Sequence, residues 1–162
     1  MREQERIHIR EAQPGDYPAV EVIMKQVQQL HINWRPDIYQ YSETLLPYDV
    51  YEQAVREKTF FVAEYEGHVA GILFIVYRHI ESSSQVTRNV IFVDSMAVDE
   101  ADRGKGIGHA FFDHLMQLKK QKGYDGIELQ VNAKNKAAYE MYAKYGFTEK
   151  SINMELLEPL EP

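Results

Sequence analysis

The chain has 162 residues, 44% of them hydrophobic and 27% charged, with a formal net charge of −7 and no cysteine. This size and composition predict one domain over residues 1–162, and the missing cysteine excludes disulfides, zinc–thiolate sites and thiol nucleophiles. The acidic charge argues against nucleic-acid binding, and without a bilayer-spanning run or an export signal we expect a soluble, cytoplasmic protein with no membrane partner.

The first third of the chain predicts a strand followed by helical segments. Apolar and polar residues alternate over Ile7–Ile9, which is typical of a half-buried strand. Pro14–Asp16 supplies a turn and a helix cap, and apolar residues then recur at helical spacing over Val20–Leu30. Residues 31–51 are rich in aromatic and turn residues, so helix pieces and loops are expected there.

The middle of the chain predicts three strands and one long helix. Phe60–Tyr65 and Val69–Tyr77 are rich in β-branched and aromatic residues around a short glycine connection, which indicates a hairpin. Val90–Val98 is a further strand. The apolar face of Ile107–Leu118 predicts a helix that Gly123 ends in a left-handed conformation.

The last part of the chain continues the alternation of strands and helices. Ile127–Val131 alternates as a strand, Ala138–Tyr145 shows helical spacing up to Gly146, and Ile152–Leu156 alternates again. The predicted element order is therefore βα(α)βββαβαβ. Alternating strands and helices around one core favour an α/β layered domain with a mixed sheet.

A glycine-rich turn over Arg103–Gly108 joins a strand to a helix, and such junctions bind anions. Glycines allow close backbone approach to a phosphate, and the first helical amides lack internal acceptors. A tight turn with a basic helix start is the structural alternative. A dinucleotide-binding fingerprint would need glycine or alanine at His109, and the Walker pattern Gly-x-x-x-x-Gly-Lys does not occur in the sequence.

The second half of the chain contains two ordered motifs. Arg103–Gly108 fits the pattern of arginine or glutamine, two residues, glycine, one residue, and glycine or alanine. The second motif consists of Asn135, Ala138, Tyr142 and the pair Gly146–Phe147. Both motifs resemble those of the GNAT superfamily of acyl-CoA-dependent N-acyltransferases. The resemblance implies a mixed, mostly antiparallel sheet of six to seven strands with helices on both faces.

The resemblance also implies that acetyl-CoA is the co-substrate and that particular residues bind it. The loop would hold the coenzyme A pyrophosphate, and the preceding strand would pair its backbone with the pantetheine arm. The implied cofactor-binding residues are Met96, Ala97, Val98, Arg103, Gly104, Lys105, Gly106, Ile107, Gly108, Asn132, Asn135, Ala138 and Tyr142. Asn135 is equally suited to cap the helix that begins beside it, and the two roles are compatible.

Acetyl transfer from a thioester to an amine requires an unprotonated amine, oxyanion stabilisation and a proton for the leaving thiolate. By resemblance, Tyr142 is the general acid, with core packing as the alternative. Asp94 lies in an otherwise apolar strand and is a candidate base, unless it pairs with Arg88. Enzymes of this superfamily that acetylate a ribosomal protein's N-terminal alanine carry a glutamate as the general base where Gln130 stands. Glutamine cannot accept the amine proton, which argues against that particular substrate.

The resemblance implies that the acceptor is a primary amine of a small molecule or a peptide. It also implies that acceptor specificity lies mainly in the first helices and the segment between them. The substrate-binding candidates are His31, Trp34, Arg35 and Tyr39, with Tyr41, Tyr48 and Tyr51 in the same segment. Filling the core is the alternative for each ring.

No metal is predicted, since His109 and His114 do not have the i, i+4 spacing of paired ligands on a helix. A homodimer and a non-catalytic acyl-CoA sensor remain open.

Overall fold

The computed structural model describes residues 6–158, which fall into two compact units divided between Gln130 and Val131. The first unit contains five strands: β1 Ile7–Glu11, β2 Phe60–Tyr65, β3 His68–Ser82, β4 Gln85–Val98 and β5 Gly126–Leu129. Its helices are α1 Tyr17–Trp34, α2 Tyr48–Glu57 and α3 Ile107–Lys122, with short 3-10 turns over Pro14–Asp16 and Glu100–Asp102. The second unit contains α4 Lys136–Lys144.

The five strands form one sheet in the order β1-β2-β3-β4-β5. Each of the first three neighbouring pairs is antiparallel, and β4 pairs with β5 in parallel. The predicted hairpin is present as β2 and β3, with Glu66 and Gly67 at positive φ in the turn. The mixed, mostly antiparallel sheet expected from the sequence is therefore confirmed.

Helices cover both faces of this sheet. Phe60 and Val62 of β2 lie in a buried cluster with residues of α1 and α2, including Ile23. Phe61, between them in the strand, instead meets His114 of α3, with ring centroids 4.6 Å apart. Because successive side chains of a strand point to opposite faces, α1 and α2 lie on one face and α3 on the other.

The expected count of six to seven strands is wrong for the described residues, which form five. The predicted strand over Ile152–Leu156 is irregular chain, and Ile152, Met154 and Leu156 are 72%, 87% and 76% exposed. Strand β5 also ends at Leu129, before Val131. Alternation predicts only which face of a strand would be apolar, whereas strand formation also needs a neighbouring backbone to complete its hydrogen bonds.

Helix α3 ends as its sequence predicts. Gly123 follows it in the left-handed conformation, with φ 65° and ψ 34°, and its N–H bonds to carbonyls of the last helical turn. No helix within residues 6–158 combines the length and apolarity that crossing a bilayer requires.

Candidate active site

The glycine-rich loop forms a tight backbone turn at the start of α3. Gly104 and Gly106 have φ values of 80° and 91°, a region that side-chain-bearing residues avoid. Ile107, the first residue of α3, is 1% exposed, so it fixes the helix start against the core. The amides of the first helical turn lack intrahelical acceptors and carry the positive end of the helix dipole. These amides and the exposed guanidinium of Arg103 are groups whose chemistry suits an anion.

The side chain of Lys105 contacts Asp102 in the 3-10 turn before the loop. Its Nζ lies 2.9 Å from Oδ1 of Asp102 and 4.5 Å from the centre of the Tyr65 ring. The other carboxylate oxygen, Oδ2, lies 2.9 Å from Nε2 of His68, the first residue of β3. The sequence alone indicates no role for Asp102 or His68, because only the folded sheet brings these residues together.

Strand β4 has one edge that β5 covers only in part. Within the described residues, β5 pairs with Val90–Val93 and with no later residue of β4. Met96–Val98 pair with β3 on the opposite edge. In an antiparallel pair, alternate backbone groups point away from the partner strand. The Met96–Val98 segment therefore offers N–H and C=O groups on the edge of β4 that β5 does not cover.

Asp94 lies where β5 stops pairing, and it is the extra residue of a β-bulge. Phe74 is opposite Ser95 and Ile75 is opposite Val93, so Asp94 has no register partner on β3. The bulge breaks the alternation that would put Asp94 on the apolar face, and the residue is exposed. Its Oδ2 accepts a hydrogen bond of 3.2 Å from Oγ of Ser95.

Arg88, the partner considered for Asp94, is instead bonded across the sheet. Its Nη1 donates to Oε2 of Glu128 on β5 at 3.0 Å. The carboxylate of Glu128 is therefore engaged in this ion pair.

In the second unit, the motif residues are arranged around α4. Asn135 is the N-cap, and its Oδ1 accepts from the N–H of Ala138 at 3.2 Å, which confirms the capping role. Oδ1 of Asn132 accepts from the N–H of Lys134 at 2.9 Å. Each carboxamide also carries an NH2 group that can donate to a ligand.

Tyr142 is half-buried on α4, and its ring lies 5.8 Å from that of Phe147, the last residue of the second motif. Burial raises the pKa of the Tyr142 phenol above its ordinary value of about 10. The phenol is therefore protonated at neutral pH, as a general acid must be.

The acceptor candidates cluster at the C-terminal end of α1. His31 stacks on Tyr39 with ring centroids 4.8 Å apart, and the Trp34 ring is 5.7 Å away. Arg35 makes two hydrogen bonds to the carboxylate of Asp37, at 2.9 and 2.7 Å. Burial lowers the pKa of His31, which favours the neutral imidazole.

Two contacts join α1 to the segment that precedes the glycine-rich loop. The side chain of Gln26 accepts from the N–H of Glu100 at 3.0 Å and approaches Asp99 at 3.5 Å. The aromatic cluster begins five residues further along α1 at His31, which corresponds to about 7.5 Å of helix. Tyr51, however, is fully buried and packs against Phe60, so it is a core residue.

The family model described as the Acetyltransferase (GNAT) family matches residues 27–147, which is most of the chain. The protein therefore belongs to this family of acetyltransferases, and the resemblance indicated by the two motifs is confirmed. The match includes the glycine-rich loop and the motif around α4.

Two curated relatives are N-acetyltransferases by name. An uncharacterized N-acetyltransferase of Methanocaldococcus jannaschii is 33% identical over 96 residues, 59% of this chain and 42% of the relative. The ribosomal protein bS18-alanine N-acetyltransferase of Escherichia coli is 32% identical over 69 residues, 43% of this chain and 47% of the relative. The chain thus spans less than half the length of these relatives.

Solved structures share the fold over nearly the whole chain. A tetramutant of the BH1408 protein from Bacillus halodurans has a TM-score of 0.83 and 27% identity, covering 93% of this chain and 99% of that one. The aminoglycoside N-acetyltransferase AAC(6′)-Iy in complex with CoA has a TM-score of 0.67 and 15% identity, covering 94% of both chains. The second likeness is one of fold alone.

Proposed function

We propose that the protein is an N-acetyltransferase that moves the acetyl group of acetyl-CoA to a primary amine within a ternary complex. The observation that carries the proposal is that the first unit contains both a glycine loop with positive φ values and an edge of β4 that β5 no longer covers from Asp94 onwards. Membership of the GNAT family and the CoA complex of a protein with the same fold support it.

The residues of the first unit fit coenzyme A in two respects. The amides from Gly104 to Gly108, with the exposed Arg103, suit a pyrophosphate. The segment Met96–Val98 offers strand-like backbone groups, which suit the amides of a pantetheine arm. In this proposal Lys105 contributes its backbone N–H, because its side chain is bonded to Asp102.

In the proposed reaction, the amine nitrogen forms a bond to the acetyl carbonyl carbon and the carbon–sulfur bond breaks. A cationic acceptor first releases one proton to solvent, and the neutral amine then loses a second proton as the sulfur gains one. Tyr142 is the proposed donor to the sulfur; water then returns a proton to the phenolate, and the proton taken from the amine is released to water. Asp94 is the proposed proton acceptor, directly or through water, because it is exposed at the point where β5 stops pairing. Direct attack needs no covalent enzyme intermediate, in keeping with a chain that has no cysteine.

The proposed acceptor is a cationic amine of a small molecule or a peptide. The net charge of −7 attracts cations, and the rings of His31, Trp34 and Tyr39 offer a surface for the carbon skeleton of an amine. One relative is named for a ribosomal protein alanine and one protein of the same fold for an aminoglycoside, so both peptide and small-molecule amines belong in the test panel.

The test is a thiol-release assay with acetyl-CoA and a panel of polyamines, amino acids, aminoglycosides and peptide N-termini. Because the protein has no cysteine, every thiol detected comes from coenzyme A. We expect amine-dependent thiol release, with the acetylated amine identified by mass spectrometry. Tight acetyl-CoA binding without turnover on any amine would favour a non-catalytic sensor instead.

A further inference from the structure

The buried carboxylate of Asp102 joins the glycine-rich loop to the β2–β3 hairpin. Its side chain is 5% exposed, and its two oxygens have different partners: Oδ2 bonds to His68 and Oδ1 to Lys105. A buried carboxylate is strongly destabilising unless it is paired and hydrogen-bonded. Both conditions are met here, and the two partners come from different parts of the fold.

The hydrogen bond from His68 has a fixed direction. A carboxylate only accepts hydrogen bonds, so the Nε2 atom of His68 carries the proton in this contact. Burial alone would raise the pKa of Asp102, but the bonds and charges of His68 and Lys105 outweigh burial and lower it. The carboxylate is therefore ionised at neutral pH.

The ammonium of Lys105 takes part in the same contact. Its pKa is raised, first by the hydrogen bond to Asp102, and its ammonium lies over the Tyr65 ring. The charges of Lys105 and Asp102 offset each other beside the loop. Arg103, directly after Asp102, is the exposed cation at the start of the loop.

We propose that Asp102 and His68 are positioning residues that hold the glycine-rich loop in its anion-binding conformation, while Lys105 serves as a structural cation. A loop with two positive-φ glycines has many alternative backbone conformations, and fixing one of them lowers the entropic cost of binding. We call the contact between Asp102 and His68 the anchor; it lies at residue 102, one position before the loop. This inference rests on the proposed binding of coenzyme A.

The test compares coenzyme A affinity among matched variants by isothermal titration calorimetry. Asp102→Asn removes the charge with little change of shape, and Asp113→Asn makes the same change on an exposed carboxylate of α3. His68→Ala removes the donor, whereas His68→Gln keeps an N–H at a similar reach. His68 is half exposed, so its variants test the anchor even if Asp102→Asn fails to fold.

We expect Asp102→Asn and His68→Ala to weaken coenzyme A binding about tenfold, the equivalent of one charge-assisted hydrogen bond. His68→Gln and Asp113→Asn should stay within about twofold of the wild type, a change too small to reflect a lost hydrogen bond. In turnover assays the KM for acetyl-CoA should rise with kcat unchanged. Wild-type-like affinity in both anchor variants would overturn the positioning role alone. Tighter binding by Asp102→Asn would also overturn it, by identifying Lys105 as a phosphate ligand. A wild type that does not bind coenzyme A would overturn the proposed function, and this inference with it.

Discussion

A Cβ atom added to Gly71 would lie 2.9 Å from Cε2 of Phe111 and 3.0 Å from Cγ2 of Ile107. Gly71 is on β3, opposite Val98 of β4, and the two side chains it meets belong to the first turns of α3. The missing side chain therefore allows the helix that carries the glycine-rich loop to lie directly on the sheet.

Gly71→Ala should destabilise the protein by about 1–3 kcal/mol, the usual cost of overpacking a core. Urea unfolding of the two proteins measures the difference. Gly126→Ala is the matched control, because its Cβ would meet only Val90 at 3.9 Å, an ordinary contact. If Gly71→Ala is as stable as the control, α3 does not approach β3 as closely as described.

Tyr142→Phe should slow acetyl transfer by about 10²–10⁴-fold, the contribution of a general acid, with coenzyme A affinity nearly unchanged. Because burial raises the pKa of Tyr142, loss of its proton should not reduce the wild-type rate below about pH 10. Steady-state rates and calorimetric affinities together measure both effects.

Tyr139→Phe is the control for this substitution. It removes a phenol from the same helix, where the Tyr139 hydroxyl donates to Glu149 on the exposed side. Turnover by Tyr142→Phe equal to that of Tyr139→Phe would remove Tyr142 from the mechanism.

His114 should make the protein less stable at mildly acidic pH. Burial lowers the pKa of His114, and its Nε2 has no hydrogen-bond partner among residues 6–158. The unfolded chain, with a histidine pKa of about 6.5, then binds more protons than the folded protein. Stability should be fully present above about pH 6.5 and fall as the pH drops from there toward the folded-state pKa.

His114→Leu should flatten this pH dependence, measured as the free energy of unfolding in urea between pH 5 and 7. His31, whose pKa burial also lowers, will keep part of it. His109→Leu makes the same change on the exposed side of α3 and is the matched control. An unchanged slope in His114→Leu would show that this histidine is protonated without cost in the folded protein.

The parts of the site that the sequence predicts are those set by neighbouring residues. The glycine loop, the helix it opens and the left-handed end at Gly123 follow from glycine's access to positive φ and from the orphan amides of a helix start. The capping role of Asn135 is equally local. Each feature depends on residues within one or two helical turns.

The remaining parts depend on pairing between distant segments. The bulge at Asp94 arises from the register of β4 against β3, and alternation within one strand cannot reveal it. The contact between Asp102 and His68 joins residues 34 positions apart. The prediction of a strand at Ile152–Leu156 was wrong for the same reason. A periodic pattern does not show whether the backbone of a partner strand is near.

Thermal unfolding with and without acetyl-CoA tests the central claim most directly, with ATP and NAD as control ligands. At a hundredfold excess over its Kd, a ligand of the folded state should raise the midpoint by roughly 5 to 10 °C in a domain of this size. Gly106→Val should lose this shift, whereas Gly123→Val, which places the same strain at the other end of α3, should keep it. A selective shift with acetyl-CoA is the predicted result, and no shift at saturating acetyl-CoA would contradict the assignment of the glycine-rich loop and the proposed function.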